Sequence, residues 1–262
     1  LDQTPGRALS SYDHLVPTNC QRIIGPRYAL LKPEFRLRRN ASLNRRKHAQ
    51  LKQILVFLGG VDRDNMTSKV LDGLAMAALP VDSEITVVLG PTAPWKNSIK
   101  ALIEKMPVPT KLLVGVKDMA DLMLDADLAI GAAGSSSLER CCLGLPSLMV
   151  VVADNQTSIA RELERSNAVK LLSTDPTELN NLICNFFQSK VLTYELEKMS
   201  AASANILNGD GVQSVLAKMT ESSFYRVRVA SEGDAERVFE WRYSSISGEK
   251  YYLRNKSPNY ND

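Results

Sequence analysis

Six short apolar runs recur along the chain, and each is followed by a turn and then a stretch with helical spacing. Ile54–Leu58 is a β-rich run ending in Gly59-Gly60. From about Asp64 to Ala78, Met66, Val70, Leu71, Leu74 and Ala78 fall on one helical face. Ile85–Leu89 closes at Gly90-Pro91, and Ile99, Leu102, Ile103 and Met106 line one side of the helix after it. Leu112–Val114 precedes a short helix over Met119–Leu124, and Leu128–Ile130 leads into a serine-bearing helix. Ser147–Val152 is followed by a helix from Gln156 to Arg165. Val169–Leu172 is the sixth run, with helices to about Met219. Residues 1–45 read as irregular, with turn signals at Thr4-Pro5-Gly6 and Gly25-Pro26.

The runs are apolar throughout rather than alternating, so both faces of each strand should be buried. Strict alternation of strands with amphipathic helices predicts parallel strands joined by right-handed crossovers. The expected fold class is α/β, a Rossmann-like doubly wound parallel sheet over residues 46–220. Ligands of such sheets bind at the carboxyl ends of strands, near the topological switch point. The loops that matter are therefore those at Gly59-Gly60, Gly90, Gly115-Val116, Gly131–Ser137 and Ala153–Gln156.

Composition narrows the function little. The chain is 44% hydrophobic and 23% charged, with net charge +3, which is too small to argue for nucleic acid. One dense basic stretch, Arg36-Leu37-Arg38-Arg39 continuing to Arg45-Arg46-Lys47, reads as a solvated helix face or linker before a polyanion site. No apolar stretch approaches the roughly 18 residues that cross a bilayer, and no signal pattern opens the chain. Cys20, Cys141, Cys142 and Cys184 form no Cys-x-x-Cys pair, so we expect reduced thiols in a cytoplasmic protein, with no metal. The start at Leu1 rather than Met, and the end at Asp262 just after a new segment opens, lead us to expect a piece of a longer protein.

The strongest candidate chemistry lies in Gly131-Ala-Ala-Gly134-Ser135-Ser136-Ser137. Small residues let the backbone approach a ligand, a helix start leaves N–H groups free, and hydroxyls add donors. Together these suit a phosphate. Glu139 has two open readings. Ser136-x-x-Glu139 fits a capping box, and a carboxylate also suits two vicinal ribose hydroxyls. The Gly59-Gly60 turn is of the same kind. Asp62 or Asp64 reads first as a helix cap, while Gly60 and the first N–H groups of the helix suit a diphosphate. Asp154 reads as a cap, and Asn155 and Gln156 suit sugar hydroxyls or equally a plain turn. His14 and His48 read as surface or structural. No nucleophile elbow, zinc-protease motif or Walker lysine is present.

The segments GPRYALLKPEF (25–35), LVFLGGVDRDN (55–65), DMADLMLDADLAIGAAGSSSLERCCLGLP (118–146) and VVADNQ (151–156) closely resemble the nucleotide-sugar hydrolases of pseudaminic acid biosynthesis. Those enzymes act on UDP-2,4-diacetamido-2,4,6-trideoxy-β-L-altropyranose and are related to a spore-coat polysaccharide family. The looser pattern also resembles the transferase that adds N-acetylglucosamine to lipid I. The resemblance implies the C-terminal half of a GT-B architecture, with residues 1–45 the end of an N-terminal domain and linker. It implies hydrolysis at the anomeric carbon with release of UDP, water as acceptor, and no metal or cofactor. It places Ser135, Ser136 and Ser137 on phosphate, Glu139 on ribose, backbone around Val116 on uracil, and Gly59, Gly60 and Gly134 by the diphosphate. It puts Asn155 and Gln156 on the sugar and Tyr28 in the cleft. No catalytic residue is assigned, because the family's catalytic histidine belongs to an N-terminal half that we expect to be missing. The alternatives are a UDP-sugar-dependent GT-B glycosyltransferase and a UDP-binding module without catalysis. Residues 221–262, with YRVRVASEGDAERVFEWR, resemble the opening of a GNAT-type N-acetyltransferase; acetyl-CoA would concern only a complete module.

Overall fold

A computed structural model describes residues 1–47, 50–220 and 231–235. Leu1–Val215 forms one compact unit and Leu216–Asp262 a second. In the first unit six parallel strands form one sheet in the order β3-β2-β1-β4-β5-β6. They are β1 Gln53–Phe57, β2 Glu84–Leu89, β3 Thr110–Val114, β4 Leu128–Ala132, β5 Ser147–Val150 and β6 Val169–Leu172. The helices are α1 Pro33–Arg46, α2 Met66–Met76, α3 Lys96–Ile103, α4 Met119–Asp125, α5 Ser136–Cys142, α6 Thr157–Arg165, α7 Pro176–Phe187, α8 Leu192–Ile206 and α9 Gly211–Thr220. The chain leaves β1 toward one edge and returns at β4 on β1's other side, so the switch point lies between these two strands.

The four inner strands β2, β1, β4 and β5 bury both faces, as their continuous apolar character requires, whereas the edge strands β3 and β6, expected to be buried likewise, leave Lys111 and Lys170 exposed because no strand covers their outer side. Ile54, Val56, Ile85, Val87, Leu128, Ile130, Leu148 and Val150 pack with α2, α3 and α7 on one side. Leu55, Val88, Ala129 and Met149 pack with α1, α4, α5 and α6 on the other. Cys141 and Cys142 belong to this second core, where burial pushes their thiols up to about 12 and about 11.

Residues 33–46, expected to be irregular, form α1, with Pro33 in its first turn. The basic run is only in part a solvated helix face: Arg36, Leu37 and Lys47 are exposed, but the other arginines turn toward the fold. Arg39 donates to the carbonyls of Cys142 and Ala204, and the Ser42 hydroxyl to that of Leu143. Arg46, 4% exposed, donates to the carbonyls of Gly144 (2.9 Å) and Met123 (2.8 Å). Arg38 pairs with Asp118 and Asp121, and Arg45 with the buried Asp127. Helix ends leave carbonyls unpaired, and α1 docks by supplying donors to the ends of α4 and α5.

The acetyltransferase-like segment lies largely outside the described residues. Within it, the Asp234 carboxylate accepts from the Ser231 N–H and hydroxyl at the short 3-10 turn Glu232–Asp234. His48 also lies outside the described residues.

Candidate functional site

The register sets Phe57, the last residue of β1, beside Gly131 of β4. The loops that leave these two strands therefore open side by side at the switch point. After β1 comes Gly59, with φ +104°, a conformation that L side chains avoid. A Cβ on Gly59 or Gly60 would meet nothing within 4 Å, so this turn borders open space. The turn is held from behind at Gly90, where a Cβ would lie 1.9 Å from the Gly60 carbonyl oxygen. The two glycine turns thus lie backbone against backbone.

Asp62 resolves as a cap. Its two carboxylate oxygens accept from the Met66 and Thr67 amides at 2.8 and 3.0 Å, and its carbonyl accepts from the Trp95 indole. The expectation that the first amides of α2 would face a diphosphate therefore fails, because a buried carboxylate already occupies them. Gly59 and Gly60 remain at the rim.

The serine turn is different. The Ser137 amide and hydroxyl both donate to the Gly134 carbonyl, the hydroxyl at 2.6 Å, and Ser137 is fully buried. Ser137 therefore shapes the turn instead of presenting its hydroxyl to a phosphate. Among the described residues the amides of Gly134, Ser135 and Ser136 have no partner. Ser135 is exposed, and Gly134 and Ser136 are half-buried. Three adjacent donors left unspent at the end of a buried strand are costly to keep unless water or a ligand accepts from them. With α5 only seven residues long, these amides matter more than any helix dipole.

The capping box does not form. Among the described residues the Glu139 carboxylate makes no hydrogen bond, and the Ser136 hydroxyl instead accepts from Arg140 at 3.2 Å. Burial raises the Glu139 pKa, against the pull of Arg140 and Lys32. A half-buried carboxylate that accepts no internal hydrogen bond is a group waiting for donors. Asp154 does not cap α6 either; the chain enters α6 through a 3-10 turn, Asp154–Gln156, without a side-chain cap. Gln156 reaches back to the serine turn. Its Oε1 accepts from the Val152 amide at 3.2 Å, and its Nε2 lies 3.6 Å from where a Cβ on Gly134 would be. Asn155 is exposed on the same turn. Val116 follows Gly115 at the end of β3, half-buried, with no backbone partner among the described residues.

Tyr28 departs from expectation. It is only 7% exposed, and the Arg27 guanidinium covers its ring at 4.6 Å, so it packs in the fold rather than lining an open cleft. Sequence reasoning missed Arg140, which is 2% exposed beneath the serine turn. Its signal was a charged residue placed among Leu138, Cys141 and Cys142 in an otherwise apolar helix. A cavity of about 380 Å³ exists elsewhere, at the amino ends of the strands, lined by Gln53, Glu84, Lys111 and Asp125. It has neither a glycine turn nor unspent amides, and it lies at the wrong end of the sheet for a nucleotide.

The sheet order and the paired glycine turns define a Rossmann-like α/β domain of the kind that forms the C-terminal half of GT-B proteins. Residues 53–209 match the glycosyltransferase family 28 C-terminal domain, and the chain belongs to that family. It is 34% identical to the spore coat polysaccharide biosynthesis protein SpsG of Bacillus subtilis, over 52% of this chain and 39% of the relative. It is 31% identical to the UDP-N-acetylglucosamine–N-acetylmuramyl-(pentapeptide) pyrophosphoryl-undecaprenol N-acetylglucosamine transferase of Hahella chejuensis, over 50% of this chain and 38% of that one. The fold is similar to that of MurG from Acinetobacter baumannii, with TM-score 0.62 and 20% identity, over 79% of this chain and 58% of that chain. The chain spans less than half the length of the curated relatives it matches.

Proposed function

We propose that this chain carries the UDP-binding half of a GT-B enzyme that breaks the anomeric C–O bond of a UDP-sugar. The observation that carries the reading is the serine turn: three unspent amides beside a carboxylate that accepts no hydrogen bond among the described residues, at the sheet's switch point. In the proposed complex the amides of Gly134, Ser135 and Ser136 donate to the diphosphate oxygens, with the Ser135 and Ser136 hydroxyls beside them. Glu139 accepts from the two ribose hydroxyls. Val116 offers its backbone to the uracil, the Gly59-Gly60 turn borders the phosphates, and Asn155 and Gln156 face the sugar. The leaving UDP gains charge as the bond breaks, and fixed donors stabilise that charge without reorganising.

Transfer of the sugar to an acceptor is the first reading, supported by membership of the glycosyltransferase family and by likeness to a named N-acetylglucosamine transferase. Hydrolysis, with water as acceptor, is the second. It rests on the resemblance of segments 25–35, 55–65, 118–146 and 151–156 to the pseudaminic acid hydrolases. Neither reading assigns a general base: His14 lies exposed in a turn. We therefore propose that this chain by itself binds UDP without turnover.

Calorimetry with UDP, followed by measurement of UDP release from a UDP-sugar panel with and without added acceptor, tests these readings. Binding alone supports the half-site reading. Release that needs an acceptor supports transfer, and release without one supports hydrolysis. A protein that does not bind UDP refutes all of them.

A further inference from the structure

Arg140 is a buried cation with no carboxylate in contact: the neighbouring Glu139 acts on it only through space. Its guanidinium lies over Gly131, where Nη1 stands 2.6 Å from the place a Cβ would take. Nη1 donates to the Ser136 hydroxyl at 3.2 Å and Nη2 to the Ala132 carbonyl at 2.8 Å. Nε is buried and has no acceptor. Among the described residues no carboxylate lies within 4.0 Å of the guanidinium. Glu139, its neighbour in α5, leaves the helix about 100° around the axis and makes no bond to it. Burial lowers the Arg140 pKa to about 10, which leaves the side chain charged at neutral pH.

A buried charge is normally paired, since an unpaired one forfeits its hydration. An apolar side chain of similar length would fill the same space at lower cost. Here a charge without a contact counter-ion sits beside Gly131, at the paired ends of β1 and β4, tied to Ala132 and Ser136 around the turn that bears the unspent amides. A counter-charge in contact with the guanidinium is therefore best supplied from outside the chain.

We infer that Arg140 is a positioning residue for the diphosphate of the ligand: its charge attracts the anion, and its two bonds fix Ala132 and Ser136 so that the intervening amides stay free to receive it. The inference rests on the UDP reading above. It makes charge, rather than the nucleoside, the quantity the turn selects. Both UDP and inorganic pyrophosphate should depend on Arg140, and uridine should not.

The test titrates the full chain, as wild type, Arg140→Met and Arg140→Lys, with UDP, inorganic pyrophosphate and uridine by calorimetry. Arg140→Met is expected to weaken UDP and pyrophosphate by about tenfold or more and uridine by less than about twofold. Arg140→Lys should keep most of the affinity for both anions. Equal losses for UDP and uridine would overturn the inference, because a purely structural role acts on both, and unchanged UDP affinity would overturn it too. Should Arg140→Met fail to fold, the wild type still decides. The Arg140 Nε–H resonance should shift with UDP and with pyrophosphate but not with uridine, and a resonance unmoved by bound UDP refutes the assignment. Wild-type protein that binds neither anion refutes the UDP reading itself, and the inference falls with it.

Discussion

Replacing Glu139 by alanine and by glutamine separates a ribose contact from a helix-end contact. Among the described residues the Glu139 carboxylate has no internal hydrogen bond, so truncating it breaks none. If it accepts from two ribose hydroxyls, two charge-assisted bonds are lost. Water competes at a half-exposed carboxylate, so we take about 1–3 kcal/mol for the pair, or about 5- to 150-fold in Kd. Calorimetry with UDP and 2′-deoxy-UDP gives a double-mutant cycle. Glu139→Ala should weaken UDP by that amount and 2′-deoxy-UDP by less, since one hydroxyl is already gone. Acidity adds a second signature. Burial raises the Glu139 pKa in the folded chain above its unfolded value, so the folded state holds that proton to higher pH. The stability this gives is complete below the unfolded pKa and is lost as pH rises through the raised value. Glu139→Gln should therefore raise Tm at neutral pH and leave it nearly unchanged in acid, while UDP affinity at neutral pH falls. An alanine variant that binds UDP as wild type does, or weakens both nucleotides equally, would refute the ribose role.

Three other outcomes follow from the geometry. Arg46→Met leaves the Met123 and Gly144 carbonyls without their donor and should cost about 3 kcal/mol in urea unfolding, with little effect on UDP affinity. Asp62→Ala frees the Met66 and Thr67 amides and should lower stability by about 1–2 kcal/mol while leaving the calorimetric Kd for UDP unchanged, because Asp62 is a cap. Gly90→Ala would place a Cβ 1.9 Å from the Gly60 carbonyl oxygen. It should both destabilise the fold by about 1–3 kcal/mol and weaken UDP binding by moving the rim of the site, which thermal melts and calorimetry together would show.

The sheet was legible in the sequence because its inner strands are apolar on both faces and each strand is followed by a turn and a helical stretch. All six strands and the alternating helices from α2 onward lie where the periodicity puts them. Helix α1 was not legible, since its buried face is Phe35, Arg39, Ser42 and Arg46 rather than an apolar stripe. Such a helix docks by hydrogen bonds to carbonyls that no sequence pattern announces. In the site, the position of the serine turn could be read from the glycine and serine cluster after β4. Which groups there are free could not be. Ser136-x-x-Glu139 and Asp154 both carry capping chemistry, yet neither cap forms, while Asp62 takes the amides that seemed open. The spacing of such residues states what bonds are possible, and the backbone geometry selects among them. Arg140 escaped for the converse reason: a charged residue beside Glu139 in a short helix carries no mark of its own in the sequence of being buried, and only the structure shows that it contacts no carboxylate.

The most direct test of the account is a structure of the protein with UDP bound. The account predicts the diphosphate within hydrogen-bonding distance of the Gly134, Ser135 and Ser136 amides and both ribose hydroxyls on Glu139. UDP seated in the cavity by Gln53, Glu84 and Lys111, or with its phosphates turned away from the serine turn, would contradict it.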